Sequence, residues 1–239
     1  ALSLMILLPL LGAIVSFFVG TKAKFVALIA SLAPLVLSLQ MYMEFDKSST
    51  MMQFVESYNW VPSIGVKYTL GVDGIGFPLV LLSTIVTVLV IIYSWGETKK
   101  PNQYFALLLL NEVGVLGVFT ALDFFLFYIF WEIVLIPMFF LIGSWGGPRK
   151  DYAAIKFFIY THVASLVMLL AIFALYFTYQ LPDGSRTFDM LTLLKATQNP
   201  EIFPPALLNI IFAGLLLGFL VKMPAFPFHT WLPDAHVEA

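Results

Sequence analysis

Seven apolar stretches, each close to the length that crosses a lipid bilayer, leave this 239-residue chain few ways to fold. They are Leu2 to Gly20, Phe25 to Met43, Phe77 to Trp95, Tyr104 to Leu122, Phe124 to Gly143, Ala153 to Tyr179, and Ala206 onward through the Lys222 region. A helix needs about 20 apolar residues to span a hydrocarbon layer ~30 Å thick, and inside that layer every backbone N–H and C=O must find its partner within the segment. The expected fold is therefore an all-α integral membrane bundle of about seven to eight spans. Charged residues make up 11% of the chain, against about a quarter in soluble domains, which agrees with that reading. The first stretch has neither a basic leader nor a small-residue cleavage site, so it is expected to be a retained helix and not a signal peptide.

The loops between the stretches alternate in charge. Lys22 and Lys24 come first, then Glu44, Asp46, Glu56 and Asp73, then Lys99 and Lys100, then Asp123, then Arg149 and Lys150, then Asp183, Asp189 and Glu201. The positive-inside rule places the basic loops, including Arg149-Lys150, on the cytoplasmic side or its equivalent, with the N-terminus outside. Only Asp123 separates the fourth and fifth stretches by charge, which demands a very tight turn. In the first long outer loop, Val66, Tyr68, Leu70 and Val72 alternate with Lys67, Thr69 and Gly71 after the turn-prone Val61 to Gly65, predicting a small β-hairpin. The second carries Phe188, Met190, Leu191, Leu193 and Leu194 among polar residues, predicting a short interfacial helix.

Against this apolar background the intramembrane ionisable groups stand out. A charge at bilayer depth costs roughly 2.5 to 3.5 kcal/mol on insertion scales, so such residues are functional candidates by default. Glu112 and Glu132 sit near the middle of the fourth and fifth spans, at similar depth. Lys222 is followed at once by Met223 and Pro224. A helix from Ala206 to Leu232 would be about 40 Å long, and Pro224 and Pro227 each remove a backbone donor. A broken helix is expected, with Lys222 at the break and the carbonyls of Gly218 to Lys222 free to bond water. Interrupted helices of this kind build the ion sites of many transporters.

Lys156 lies one turn inside the sixth span, where it could snorkel to the headgroups. His162 lies about 9 Å deeper and is either a titratable relay or a hydrogen-bonded packing residue. His229 and His236 fall seven apart in the proline-broken segment, without metal-ligand spacing. Gly71 to Gly76 is glycine-dense but lacks the dinucleotide pattern. The absence of cysteine excludes cysteine-ligated iron–sulfur clusters and thiol chemistry in this chain, and a formal charge of −2 argues against a nucleic-acid partner.

The segments Phe130-Trp131-Glu132 through Ile136-Pro137, Lys156 to Thr161, and above all Val221-Lys222-Met223-Pro224 through Phe228-His229-Thr230-Trp231-Leu232-Pro233-Asp234-Ala235-His236, resemble the antiporter-like membrane subunits of respiratory complex I. The closest type is the M subunit, also called chain 4. The Gly71 to Gly74 approach to the third span and Glu112-Val113-Gly114 fit as well. The resemblance implies a fourteen-helix fold of two inverted five-helix repeats, each with a broken helix. Residues 1–96 would then hold three N-terminal helices with the hairpin loop, and 97–239 most of the first repeat. The stop after Pro233 to Glu238, where another span would begin, is expected to mark a piece of a longer chain.

The resemblance further implies proton translocation through a buried Glu132–Lys222 pair, with Glu112 a second carboxylate and Lys156 a further basic position. His162, His229 and His236 are added as proton-path candidates. The chain would bind no cofactor, while NADH, flavin, iron–sulfur clusters and quinone would reside in partner subunits of the complex. The expected neighbours are other membrane subunits, antiporter-like ones among them, and the lipid of an energy-transducing membrane. Alternative settings are a multisubunit Na⁺/H⁺ antiporter, or a membrane-bound hydrogenase or dehydrogenase of a reduced deazaflavin.

Overall fold

The computed structural model describes residues 1–239. Seven long helices follow the apolar stretches: α1 (Leu2–Phe18), α2 (Ala23–Glu44), α3 (Gly76–Tyr93), α4 (Pro101–Thr120), α5 (Phe124–Trp145), α6 (Lys150–Thr178) and α8 (Pro205–Lys222). Six of them, or all but α1, are long and apolar enough to cross a membrane unaided. Helix α1 stops at Phe18, short of the expected Gly20, because Gly20 takes a positive φ of 58° and opens a 3-10 turn that leads directly into α2. Its 17 residues rise about 25 Å, near the lower limit for a span.

The expected hairpin forms from β1 (Gln53–Val61) and β2 (Val66–Val72), paired antiparallel with Ser57 opposite Thr69. Gly65 closes the turn at φ 69°. The period-two pattern fails on the second half of β2, where Thr69 and Gly71 are buried along with Leu70 and Val72. The cause is the α4–α5 junction: the Leu122 N–H donates to Thr69 O at 2.9 Å, and the Leu122 side chain lies over Gly71. The second long loop carries the short helix α7 (Met190–Ala196), with Leu193 buried and Leu194 exposed.

That junction is as tight as its sequence requires. Asp123 is fully buried and caps α5, its Oδ1 accepting from the N–H groups of Phe125 (3.0 Å) and Leu126 (3.1 Å) and its Oδ2 from Lys67 N–H (3.1 Å). Burial pushes its carboxyl up, and these three N–H groups pull it back. Phe124 N–H bonds Phe188 O and Met190 N–H bonds Leu122 O, so the hairpin, the junction and the second long loop form one hydrogen-bonded layer. Arg186 closes the same layer by donating to the carbonyls of Tyr176, Phe177 and Tyr179 at the end of α6, where a cation suits the helix dipole.

Below this layer α4 and α5 pack at very short range. A side chain at Gly114 would strike Val134, and one at Gly117 would strike the ring of Phe130. Small residues at a helix–helix contact let membrane helices approach closely. Helix α6 packs on the other flank of α5 and also against α8.

Candidate functional site

Helix α8 ends at Lys222, irregular backbone covers residues 223–230, and a short helix α9 (Trp231–Glu238) follows. The break therefore falls where Pro224 and Pro227 place it. Three of the carbonyls expected to be free for water are taken by the protein: Phe219 O accepts from Met223 N–H, Leu220 O from Ala225 N–H, and Val221 O from the Trp231 indole at 2.9 Å. The chain turns back tightly enough after Lys222 for its own donors to reach them, which satisfies the backbone in a medium that offers few alternatives.

Glu132 sits in the middle of α5, facing α6. His162 and Ser165, three residues apart and so on one helix face, meet its two oxygens: His162 Nδ1 lies 2.9 Å from Oε2, and the Ser165 hydroxyl donates to Oε1. The same hydroxyl lies 2.8 Å from His162 O. One hydrogen thus serves two acceptors, and donating to the helix carbonyl means releasing the carboxylate. The His162 ring is stacked on Phe158, centroids 5.4 Å apart, which fixes its plane.

Lys222 and Glu132 are neighbours without direct contact. The ammonium points between two aromatic faces, 5.6 Å from the centroid of Trp131 and 5.7 Å from that of Phe157. Glu132 follows directly on Trp131, whose ring faces the ammonium. The expected pair is thus a spaced one: the carboxylate is held by His162 and Ser165, and the ammonium by ring faces, a cation–π arrangement that substitutes for water. Lys222 also lines a chamber of about 200 Å³ together with Asn111, Phe157, Trp231 and His236. The Asn111 side-chain oxygen is buried there without a protein partner.

Glu112, 2% exposed on α4, has neither carboxyl oxygen hydrogen-bonded. The Lys156 ammonium lies 2.7 Å from Asp234 of α9, and Arg149 reaches the other Asp234 oxygen at 3.4 Å. The Lys156 ammonium holds the Asp234 carboxyl below the usual aspartate range. Glu238 accepts from Gly147 N–H and Arg149 N–H, so α9 is fastened to the basic loop at its middle and at its C-terminal end. His229 Nδ1 is buried without a partner and takes no part in the contacts around Glu132.

The structure therefore brings together Glu132, His162, Lys222 and His236 around α5 and the break, and sets Lys156 at the edge of that group. Ser165, Trp131, Asn111 and Asp234 were not singled out from the sequence. Ser165 had a signal: it is a hydroxyl three residues after an intramembrane histidine. Asp234 had none, because its partner is 78 residues away.

Comparison with known proteins follows the same lines. Residues 121–239 match the family described as NADH:quinone oxidoreductase/Mrp antiporter, transmembrane. The chain is 49% identical to the F(420)H(2) dehydrogenase subunit M of Methanosarcina mazei, over 99% of its own length and 48% of that protein's. It is 42% identical to an NAD(P)H-quinone oxidoreductase chain 4 of Microcystis aeruginosa, over 100% of its own length and 42% of the relative's. The chain thus spans about half the length of the curated relatives it matches. Among solved structures it resembles a chain of respiratory complex I from Thermus thermophilus with TM-score 0.82 and 26% identity, covering 100% of this chain and 47% of that one. A chain of the Mrp complex from Dietzia sp. shares the fold, with TM-score 0.79, 22% identity, and coverage of 100% of this chain and 25% of that one.

Proposed function

The chain belongs to the NADH:quinone oxidoreductase/Mrp antiporter transmembrane family, and on that premise we propose that it moves protons through an intramembrane relay centred on Glu132 and Lys222, inside a membrane oxidoreductase whose redox centres lie in other subunits. The observation that carries this reading is the pair of competing anchorages around Glu132. Its carboxylate is held by His162 and Ser165 on α6, while Lys222 makes no ion pair and lies between the ring faces of Trp131 and Phe157.

Two arrangements follow from those contacts. With Glu132 on His162, the lysine lacks a contacting counter-ion, and this is the arrangement in which it hands on its proton. With Ser165 turned to the His162 carbonyl and the imidazole contact released, Glu132 is free to approach Lys222 and the ammonium is stabilised. Alternating between them loads and unloads the lysine. The chamber shared by Lys222 and His236 supplies its proton from the basic-loop face, which the positive-inside rule assigns to the cytoplasm or its equivalent. Glu112 is a second carboxyl at similar depth, and the Lys156–Asp234 bond fixes α9 and with it the wall of the chamber.

The higher identity to a subunit named for a dehydrogenase of reduced F420 than to chains named for NAD(P)H-quinone oxidoreductase supports a reduced deazaflavin as electron donor of the complex. The deciding experiment uses the intact complex in sealed vesicles. Glu132→Gln or Lys222→Ala should abolish proton translocation while assembly and the redox reaction of the detached catalytic subunits persist. Undiminished translocation in either variant refutes the relay. Comparing NADH with reduced F420 as donor decides the electron source independently.

A further inference from the structure

At the basic-loop end of α5, two lysines from different segments converge on one backbone oxygen. Lys99, from the loop before α4, and Lys150, at the start of α6, both donate their ammonium to Ser144 O, Lys150 at 3.1 Å. Neither ammonium makes an ion pair with any carboxylate. Glu97, the nearest acid in the Lys99 loop, is turned onto the Lys99 backbone N–H at 2.7 Å. The arrangement is held from below, because the Trp145 indole donates to Lys99 O at 2.7 Å and its ring meets Tyr104 edge-on. Two like charges are thereby kept close together, each with donors to spare after the shared carbonyl.

Two open, mainly apolar grooves run away from this point on either side of α5. One, about 280 Å³, is lined by Phe17, Gln103, Leu107, Phe140, Ser144 and Trp145. The other, about 300 Å³, runs past Phe140 and Gly143 to Ala154 and Ile155, with Asp151 on its wall. Phe140 forms the ridge between them, and Ser144 belongs to both. Phe140, Phe17 and Ile155 are each about half exposed and face outward.

We propose that this is a binding site for an anionic diacyl membrane phospholipid. Its phosphodiester takes the free donors of Lys99 and Lys150 above Ser144, and its two chains lie in the grooves either side of Phe140. The complementarity is twofold: an unneutralised cation pair matches one phosphate, and a forked apolar track matches two chains joined at one head. Basic pockets between spans on the cytoplasmic side are known to suit such headgroups. Asp151 and Glu97 nearby favour a head bearing a single negative charge. A bound lipid here would brace the loops on both sides of α5 against one another.

The test is lipid retention by the intact complex, purified in detergent, exposed to equal phosphatidylglycerol and phosphatidylcholine, and weighed by native mass spectrometry. The wild type should keep phosphatidylglycerol in preference. Lys99→Gln with Lys150→Gln should lower that retention by roughly tenfold or more, while Lys99→Arg with Lys150→Arg keeps it. Equal retention in wild type and the glutamine variant overturns the proposal. So does displacement of the lipid by inorganic phosphate alone, or loss of a neighbouring subunit in place of lipid when the lysines are neutralised.

Discussion

His162 Nδ1 stands 2.9 Å from Glu132 Oε2, so the carboxylate in the middle of α5 takes its first partner from α6 and not from the lysine at the helix break. Carboxylate and ammonium are each stabilised by a different neighbour, and each of those neighbours can be removed separately.

Removing the imidazole should collapse the spaced arrangement. His162→Ala frees Glu132 to close on Lys222, which locks the lysine in its charged state. Proton translocation by the complex in vesicles should fall at least tenfold, with assembly intact, and His162→Gln, which can still donate to the carboxylate, should retain more. Equal translocation in the alanine variant and wild type would exclude a role for the histidine.

The aromatic faces around Lys222 make a second, graded test. Trp131→Leu removes a cation–π partner that contributes about 2 kcal/mol when desolvated, whereas Trp131→Phe keeps a weaker face. Translocation rates should rank wild type, then phenylalanine, then leucine. A leucine variant as active as the phenylalanine one would show that the ring acts only by filling space.

Docking of α9 depends on Asp234. Its pKa is lowered chiefly by the hydrogen bond from Lys156, so its contribution is present above the ordinary aspartate value near 3.8 and is lost as pH falls through the lowered folded value. Amide exchange across residues 231–238 should therefore stay slow at neutral pH in the wild type and quicken only in strong acid. Asp234→Asn should quicken it already at pH 7. Unchanged protection in that variant would show that the Glu238 contacts hold α9 without help.

Asp123 ties a helix start to the hairpin. Asp123→Ala removes a cap worth about 1 kcal/mol and leaves the Lys67 N–H without its acceptor, so the combined cost should be about 1 to 2 kcal/mol. Asp123→Asn retains one acceptor oxygen and should recover part of it. The measurement is thermal unfolding of the complex in detergent, together with proteolysis of the 53–72 hairpin, which should increase in the alanine variant.

Much of this architecture was legible in the sequence because the bilayer leaves so little choice. Apolar runs became α1 to α6 and α8, the prolines after Lys222 marked the break, and the turn-prone residues before Val66 marked the hairpin. What the sequence could not show was rotation about each helix axis. Glu132 has apolar neighbours on every side in the sequence, and only the packing of α6 against α5 decides that His162 and Ser165 reach it while Lys222 stops short. The break was read correctly but its carbonyls were not, since Trp231 reaches Val221 O only after a turn whose path no local pattern encodes. The alternation in β2 misled for a related reason: Leu122, fifty residues later, covers the face that the pattern assigned to water.

The two glycines on α4 bear on how such a machine can move. With Phe130 and Val134 seated against Gly117 and Gly114, sliding one of those two helices past the other would drive side chains into main chain, and parting them would forfeit that close packing. They are bound to travel as a single strut. The compliant seam must then lie on the opposite flank of α5, where contact is made by an imidazole and a hydroxyl that can swivel, so a stroke that reaches Glu132 arrives by way of α6.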